Sequence, residues 1–147
     1  MANYVNPTNK IVAAGTAQEE VLTVTGTVTE MKPGRLVKKG ADDTKCVIGD
    51  ADGDMIGFLG YEQTFGPEKP ANITTAYALN DEATIINGPG VHVIVAGSEA
   101  IVKGDLVAAA ADGKVAKWVN TMDADLIVGK ALETITEAGE IRIRSMI

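Results

Sequence analysis

Three carboxylates at alternate positions, in Asp50-Ala51-Asp52-Gly53-Asp54, make the stretch of this chain best suited to hold a cation. Hard divalent ions want several oxygens from one turn, and calcium loops supply them at this spacing. The rest of such a loop does not follow. Its sixth position needs a glycine for the sharp turn and carries Met55. Its twelfth needs a bidentate acid and carries Tyr61, with Glu62 one place late. An acidic hairpin turn is the preferred reading. Asp50, Asp52 and Asp54 stand as the candidate calcium ligands, and no metal or other cofactor is expected.

The remaining reactive types are sparse. His92 is the single histidine, so a metal site with two imidazoles cannot form within one chain. It sits in an apolar strand pattern that suits a packed or interface residue. Cys46 is the single cysteine, which rules out an intrachain disulfide, and the run Cys46-Val47-Ile48 reads as a buried structural thiol. Neither a Ser-His-Asp nor a Cys-His arrangement has a supporting motif, and no glycine-rich loop leads into a helix. The chain is not expected to be an enzyme. Arg142 and Arg144 share one face of a strand, where they could meet acids on a partner or simply be solvated. Trp118 and Tyr77 suit an interface or a core. Asn72-Ile73-Thr74 is a formal glycosylation sequon, with meaning only in a secreted protein.

The positioning elements are strands. At 147 residues the chain is most simply one domain, large enough to stand without disulfides or metals. Hydrophobic residues make up 46% and aromatics only 4%, so the core must be built from small and β-branched side chains. A net charge of -7 argues against nucleic acid and anionic membranes as partners. The N-terminus lacks a signal-peptide layout and no apolar run is long enough to span a bilayer, so a soluble protein made in the cytoplasm is expected.

Residues 1–20 show no period of either kind and read as an extended N-terminal arm. Asn3, Tyr4, Val5, Ile11 and Val12 are its candidate partner contacts, because a solvated tail would not need such apolar anchors. Residues 21–147 read as the folded domain. Val21 to Thr29 alternates apolar and threonine positions, as a half-buried strand does. Further short strands are expected at Arg35–Lys38, Lys45–Ile48, Met55–Tyr61, Thr74–Leu79, Glu82–Ile86, Val91–Ala96, Leu106–Ala110, Lys114–Val119, Leu126–Leu132 and Glu140–Met146. Met122 to Asp125 suits one turn of helix. Lys32-Pro33-Gly34, Asn87-Gly88-Pro89-Gly90 and Asp112-Gly113 are turn signals between them. The pattern predicts an all-β fold: a single small β-barrel or β-sandwich of about ten short strands with an extended N-terminal arm.

An internal repeat runs through it. Met31-Lys32-Pro33-Gly34-Arg35-Leu36-Val37 aligns with Ile101-Val102-Lys103-Gly104-Asp105-Leu106-Val107, and the Ile56-Gly57 strand parallels Val128-Gly129. Two related β-motifs folded against each other would account for it.

Taken in order, Asn87-Gly88-Pro89-Gly90-Val91, Lys103-Gly104-Asp105-Leu106-Val107, Asp112-Gly113-Lys114-Val115, Val128-Gly129-Lys130-Ala131-Leu132-Glu133 and Gly139-Glu140-Ile141-Arg142-Ile143 resemble the head-decoration, or capsid cement, proteins of tailed bacterial and archaeal viruses. That resemblance implies a structural virion protein, commonly a homotrimer. It would bind the exterior of an icosahedral capsid, bridge major capsid proteins and stabilise the shell, with N-terminal arms clamping neighbouring subunits. The alternative is a small β-sandwich binding module, carbohydrate-binding or tail-associated, which the scarcity of aromatics disfavours.

Overall fold

The computed structural model describes residues 11–60 and 74–147, and every structural statement below concerns those residues. Eleven strands follow one another: β1 (Val12–Ala14), β2 (Gln18–Val24), β3 (Leu36–Lys39), β4 (Lys45–Ile48), β5 (Met55–Leu59), β6 (Glu82–Asn87), β7 (His92–Gly97), β8 (Leu106–Ala109), β9 (Val115–Lys117), β10 (Ile127–Ala131) and β11 (Gly139–Ser145). The only helical pieces are two 3-10 turns, Ala111–Gly113 and Ala124–Leu126.

The fold is all-β, and its strands close into two barrels in tandem. Barrel 1 closes in the order β2-β4-β3-β5-β6. Barrel 2 runs β7-β11-β10-β8-β9 and closes where Gly97 of β7 meets Val115 of β9, while β1 lies against β7 at Val12↔Val93 and Ala14↔His92.

The two barrels have one topology, strand for strand. In each, the first and third strands pair parallel (Val24↔Cys46; Gly97↔Val115) and every other neighbour is antiparallel. The match extends to register. Leu36↔Phe58 and Val37↔Gly57 answer Leu106↔Lys130 and Val107↔Gly129, each ladder shifting at the next residue. Leu59↔Ile85 answers Ala131↔Ile143, and Val21↔Thr84 answers Ile94↔Arg142. Even a side-chain bond is duplicated. Thr25 Oγ1 donates to the Cys46 carbonyl at 3.0 Å, and Ser98 Oγ donates to the Val115 carbonyl at 3.2 Å. The repeat in the sequence is therefore a repeat of a whole five-stranded unit.

Each interior is made from the inward positions of its strands, as the period of two requires. Leu22, Val24, Val37, Cys46, Leu59, Ala83 and Ile85 fill barrel 1, with Met31 and Tyr77 closing an end. Val95, Val107, Val115, Ala131, Ile141 and Ile143 take the matching places in barrel 2. Small β-branched side chains suit so narrow a lumen, which explains the low aromatic content. What joins the barrels is an outward stripe of barrel 1: Leu36, Phe58 and Ile86 point away from their own lumen yet are buried in the cluster that holds the barrel 2 core.

Three expectations are corrected. The first long strand runs from Gln18 to Val24, earlier than Val21 to Thr29, because Gly26 takes a φ of 76° and ends it. Thr74 to Leu79 is not a strand. Tyr77 is buried there from a loop, which mimics strand alternation in the sequence. Arg142 is buried at 3% exposure, so only Arg144 of that pair reaches solvent.

Candidate functional site

The acidic turn is assembled as a turn. Asp50 Oδ1 accepts the N–H of Ala51 at 2.9 Å, Asp52 is held by the Lys38 ammonium at 2.6 Å, and Asp54 sits at a φ of 58°. Among the described residues no group of three or more His, Cys, Asp or Glu side chains is placed to hold a metal ion. Asp50, Asp52 and Asp54 are thus not brought together as ligands.

Cys46 is a packing residue. It is fully buried, and burial, with the charge of Glu20 adding, pushes its thiol up to about 11. At neutral pH it carries no thiolate, the form that attacks or binds metal. Val115 occupies the same place in barrel 2, so the niche asks for a small apolar group. His92 stands in β7 between Ala14 and Arg144, half-buried, with Nδ1 buried and without a hydrogen-bond partner among the described residues. Tyr77 is buried and its hydroxyl donates to the Gly60 carbonyl, while half-buried Trp118 donates from Nε1 to the Asp123 carbonyl at 3.2 Å. Phe58 is buried as well, which leaves Trp118 as the one described aromatic that reaches solvent.

Of the expected arm contacts, Asn3, Tyr4 and Val5 lie outside the described residues. Ile11 is 2% exposed and packs in the chain's own core, and its carbonyl accepts the Ile94 N–H at 2.8 Å. Val12 is half-buried on β1. Gln18 to Glu20, at the far end of the expected arm, belong to β2.

Between the barrels lies a cleft of about 330 Å³, walled by Lys32, Pro33 and Arg35 on one side and by Ile94, Ala96 and Glu140 on the other. Arg35 spans the junction beside it. Its Nη1 donates to Glu30 Oε2 and to the Asp112 carbonyl, both at 2.8 Å, tying barrel 1 to barrel 2. Burial, reinforced by the charge of Glu133, raises the Glu140 carboxyl above its ordinary value. Beside the cleft, Glu30 pairs with both Lys32 and Arg35, and this set braces the junction.

Six large hydrophobic side chains are exposed among the described residues: Val21, Leu79, Val102, Val119, Met122 and Met146. They are spread over both barrels and form no contiguous run along the chain.

A phage cement family model, described as structural cement protein (E217 gp24/Pam3 gp6), matches residues 2–145. Among solved structures, the head fiber gp8.5 N base in bacteriophage phi29 is similar in fold. It is 15% identical over 88% of this chain and 94% of that one, with a TM-score of 0.57. No curated protein matches the chain.

Proposed function

This chain belongs to the phage structural cement protein family, and we propose that it binds the exterior of an icosahedral capsid as a decoration protein, bridging major capsid proteins and stabilising the assembled shell. A structural role in the capsid, in association with capsid proteins and within the virion, follows from the family. The family match over residues 2–145 is the observation that carries the finer reading.

The physical means is mass action. A protein that binds the assembled shell and not its free subunits stabilises the shell by RT ln(1 + [L]/Kd), about 2.7 kcal/mol for each site at a hundredfold excess over Kd. Such a role asks for rigidity and complementary surface, not for a nucleophile. Two closed barrels supply the rigidity, since closure leaves few sheet edges to fray or to pair wrongly. The net charge of -7 suits the outside of a shell better than contact with packaged DNA. In this reading the protein acts as a homotrimer on a tailed virus, is made in the host cytoplasm and acts without catalysis. In the same reading the N-terminal arm, with Asn3, Tyr4 and Val5, contacts a neighbouring subunit.

Co-sedimentation with purified shells tests the proposal. Saturable pelleting with expanded shells, and none with unassembled capsid protein, is expected. A protein that stays in the supernatant at every shell concentration contradicts it.

A further inference from the structure

The two barrels share a topology but not their neighbours, and the comparison exposes two unfilled halves of one junction. Within the chain, barrel 1 gives and barrel 2 receives. The giving side is the Lys32–Gly34 turn with the Leu36–Phe58–Ile86 stripe. It approaches so closely that a Cβ on Gly34 would stand 2.8 Å from the Ile94 carbonyl oxygen. The receiving side is β7 around Ile94 together with the Ala111–Gly113 turn, whose Gly113 N–H donates to the Gly49 carbonyl at 2.9 Å.

Register assigns each of these residues a counterpart in the other barrel, and the counterparts lie open. On barrel 2 the giving turn becomes Val102–Gly104. Val102 is 57% exposed, and a Cβ on Gly104 would meet nothing within 4 Å. Phe58 and Ile86 become Lys130 and Arg144, both exposed. On barrel 1 the place of Ile94 is taken by Val21, at 61% the most exposed of the large hydrophobics. Exposed Glu19 shares its face of β2, and Asp42 and Asp43 stand where barrel 2 has its Ala111–Gly113 turn.

Two further observations mark these faces as unfinished. Lys130 and Arg144 are direct cross-strand neighbours. Like charges so placed repel, and neither has an ion-pair partner among the described residues. The β2 edge is also open. The Thr23 and Thr25 amides donate to the β4 side, to the Thr44 and Cys46 carbonyls, so the Val21 amide points that way too. Pairing with β4 begins only at Thr23, whereas the counterpart amide, Ile94, is bonded to Ile11.

We propose, on the reading that the protein works as a homo-oligomer, that a second copy of this chain fills these faces. The Val102–Gly104 turn of one copy, with Lys130 and Arg144, seats on Glu19 and Val21 of the next, repeating between copies the barrel 1–barrel 2 junction that exists within each. Exposed Glu19 of one face and the unpaired Lys130 and Arg144 of the other are complementary in sign, while Asp42 and Asp43 are already paired with Lys45 and Lys39. The contact joins two different patches, so it is heterologous and closes only as a ring.

Sedimentation velocity on the full chain tests this with two variants, V21E and V102E. Both sites are exposed, so circular dichroism should match the wild type, as should the melting midpoint at concentrations where all three proteins are monomeric. Each variant alone should weaken self-association at least about tenfold, the loss expected when a central apolar anchor is replaced by a charge. Mixed together they should form a one-to-one dimer and nothing larger, because one retains the giving face and the other the receiving face. Variants that assemble like the wild type, or a mixture that stays monomeric, overturn the proposal. Shell binding on the same samples separates the two readings. A wild-type protein that binds shells without self-associating removes the docking alone. One that self-associates through these patches but ignores shells removes the capsid role instead.

Discussion

Gly57 and Gly129 hold the same place in successive barrels. A Cβ on either would stand 2.6 Å from a carbonyl oxygen of the neighbouring strand, that of Ile86 in one and of Arg144 in the other. The shared constraint is close approach to the fifth strand of each barrel, beside the point where the second and fourth strands shift register. Alanine at either site should therefore force the strands apart and destabilise by about 1–3 kcal/mol. Urea unfolding of G57A and G129A measures it, and similar losses are expected because the geometry is duplicated.

Cys46 should be replaceable by the residue its twin uses. Val115 fills the equivalent niche, and the thiol, raised to about 11 by burial, does no acid–base work at neutral pH. C46V should fold with stability within about 1 kcal/mol of wild type, since the swap nearly conserves volume. Thermal melting under reducing conditions checks this. A loss of several kcal/mol would mean that the thiol makes an interaction the apolar niche does not account for.

Arg35 should be among the costliest polar positions. It is 9% exposed and links Glu30 to the Asp112 carbonyl across the barrel junction. R35A leaves the Asp112 carbonyl without this donor and the partly exposed Glu30 without its closest cation, a loss of about 1–2 kcal/mol on top of the lost packing. R35M, which keeps the packing stem, should lose less. Chemical unfolding of both variants separates the packing contribution from the polar one.

Asp42 should titrate far below an ordinary carboxyl. Hydrogen bonds from the Thr44 hydroxyl and then the Thr44 amide, helped by Lys45, lower it from 3.8 to about 2. A depressed folded value means the stabilisation is complete above the unfolded value of 3.8 and is lost as pH falls through about 2. Carbon-detected NMR titration of the side chain should find that midpoint. T44A should raise it toward 3.8, and an unmoved midpoint would reject the assignment.

Much of this fold could be read from the sequence. The Met31–Val37 and Ile101–Val107 repeat was visible because its residues do the same work in both copies: Gly34 and Gly104 make turns, while Val37 and Val107 fill lumens. The outer positions hid the rest of the duplication. Phe58 and Ile86 face another barrel whereas Lys130 and Arg144 face water, so equivalent places carry unlike residues. Closure into two barrels was not legible either. It depends on parallel contacts between non-adjacent strands, Val24 with Cys46 and Gly97 with Val115, which no turn motif announces. The turn at Asp50 to Asp54 was legible from its local composition, but it is no hairpin, since the strands it joins, β4 and β5, pair with β3 and not with each other. The faces at Val21 and Val102 were not legible either, because each is defined only by its counterpart in the other barrel, Ile94 and Lys32.

The capsid role is tested most directly by differential scanning calorimetry of shells stripped of this protein, before and after it is added back. The account predicts that the shell transition moves to higher temperature in proportion to occupancy and saturates at a fixed ratio of this chain to major capsid protein. The melting of free capsid subunits should stay where it was. A shell transition that does not move while the protein is demonstrably bound would contradict stabilisation, and absence of binding to intact shells would contradict the capsid role itself.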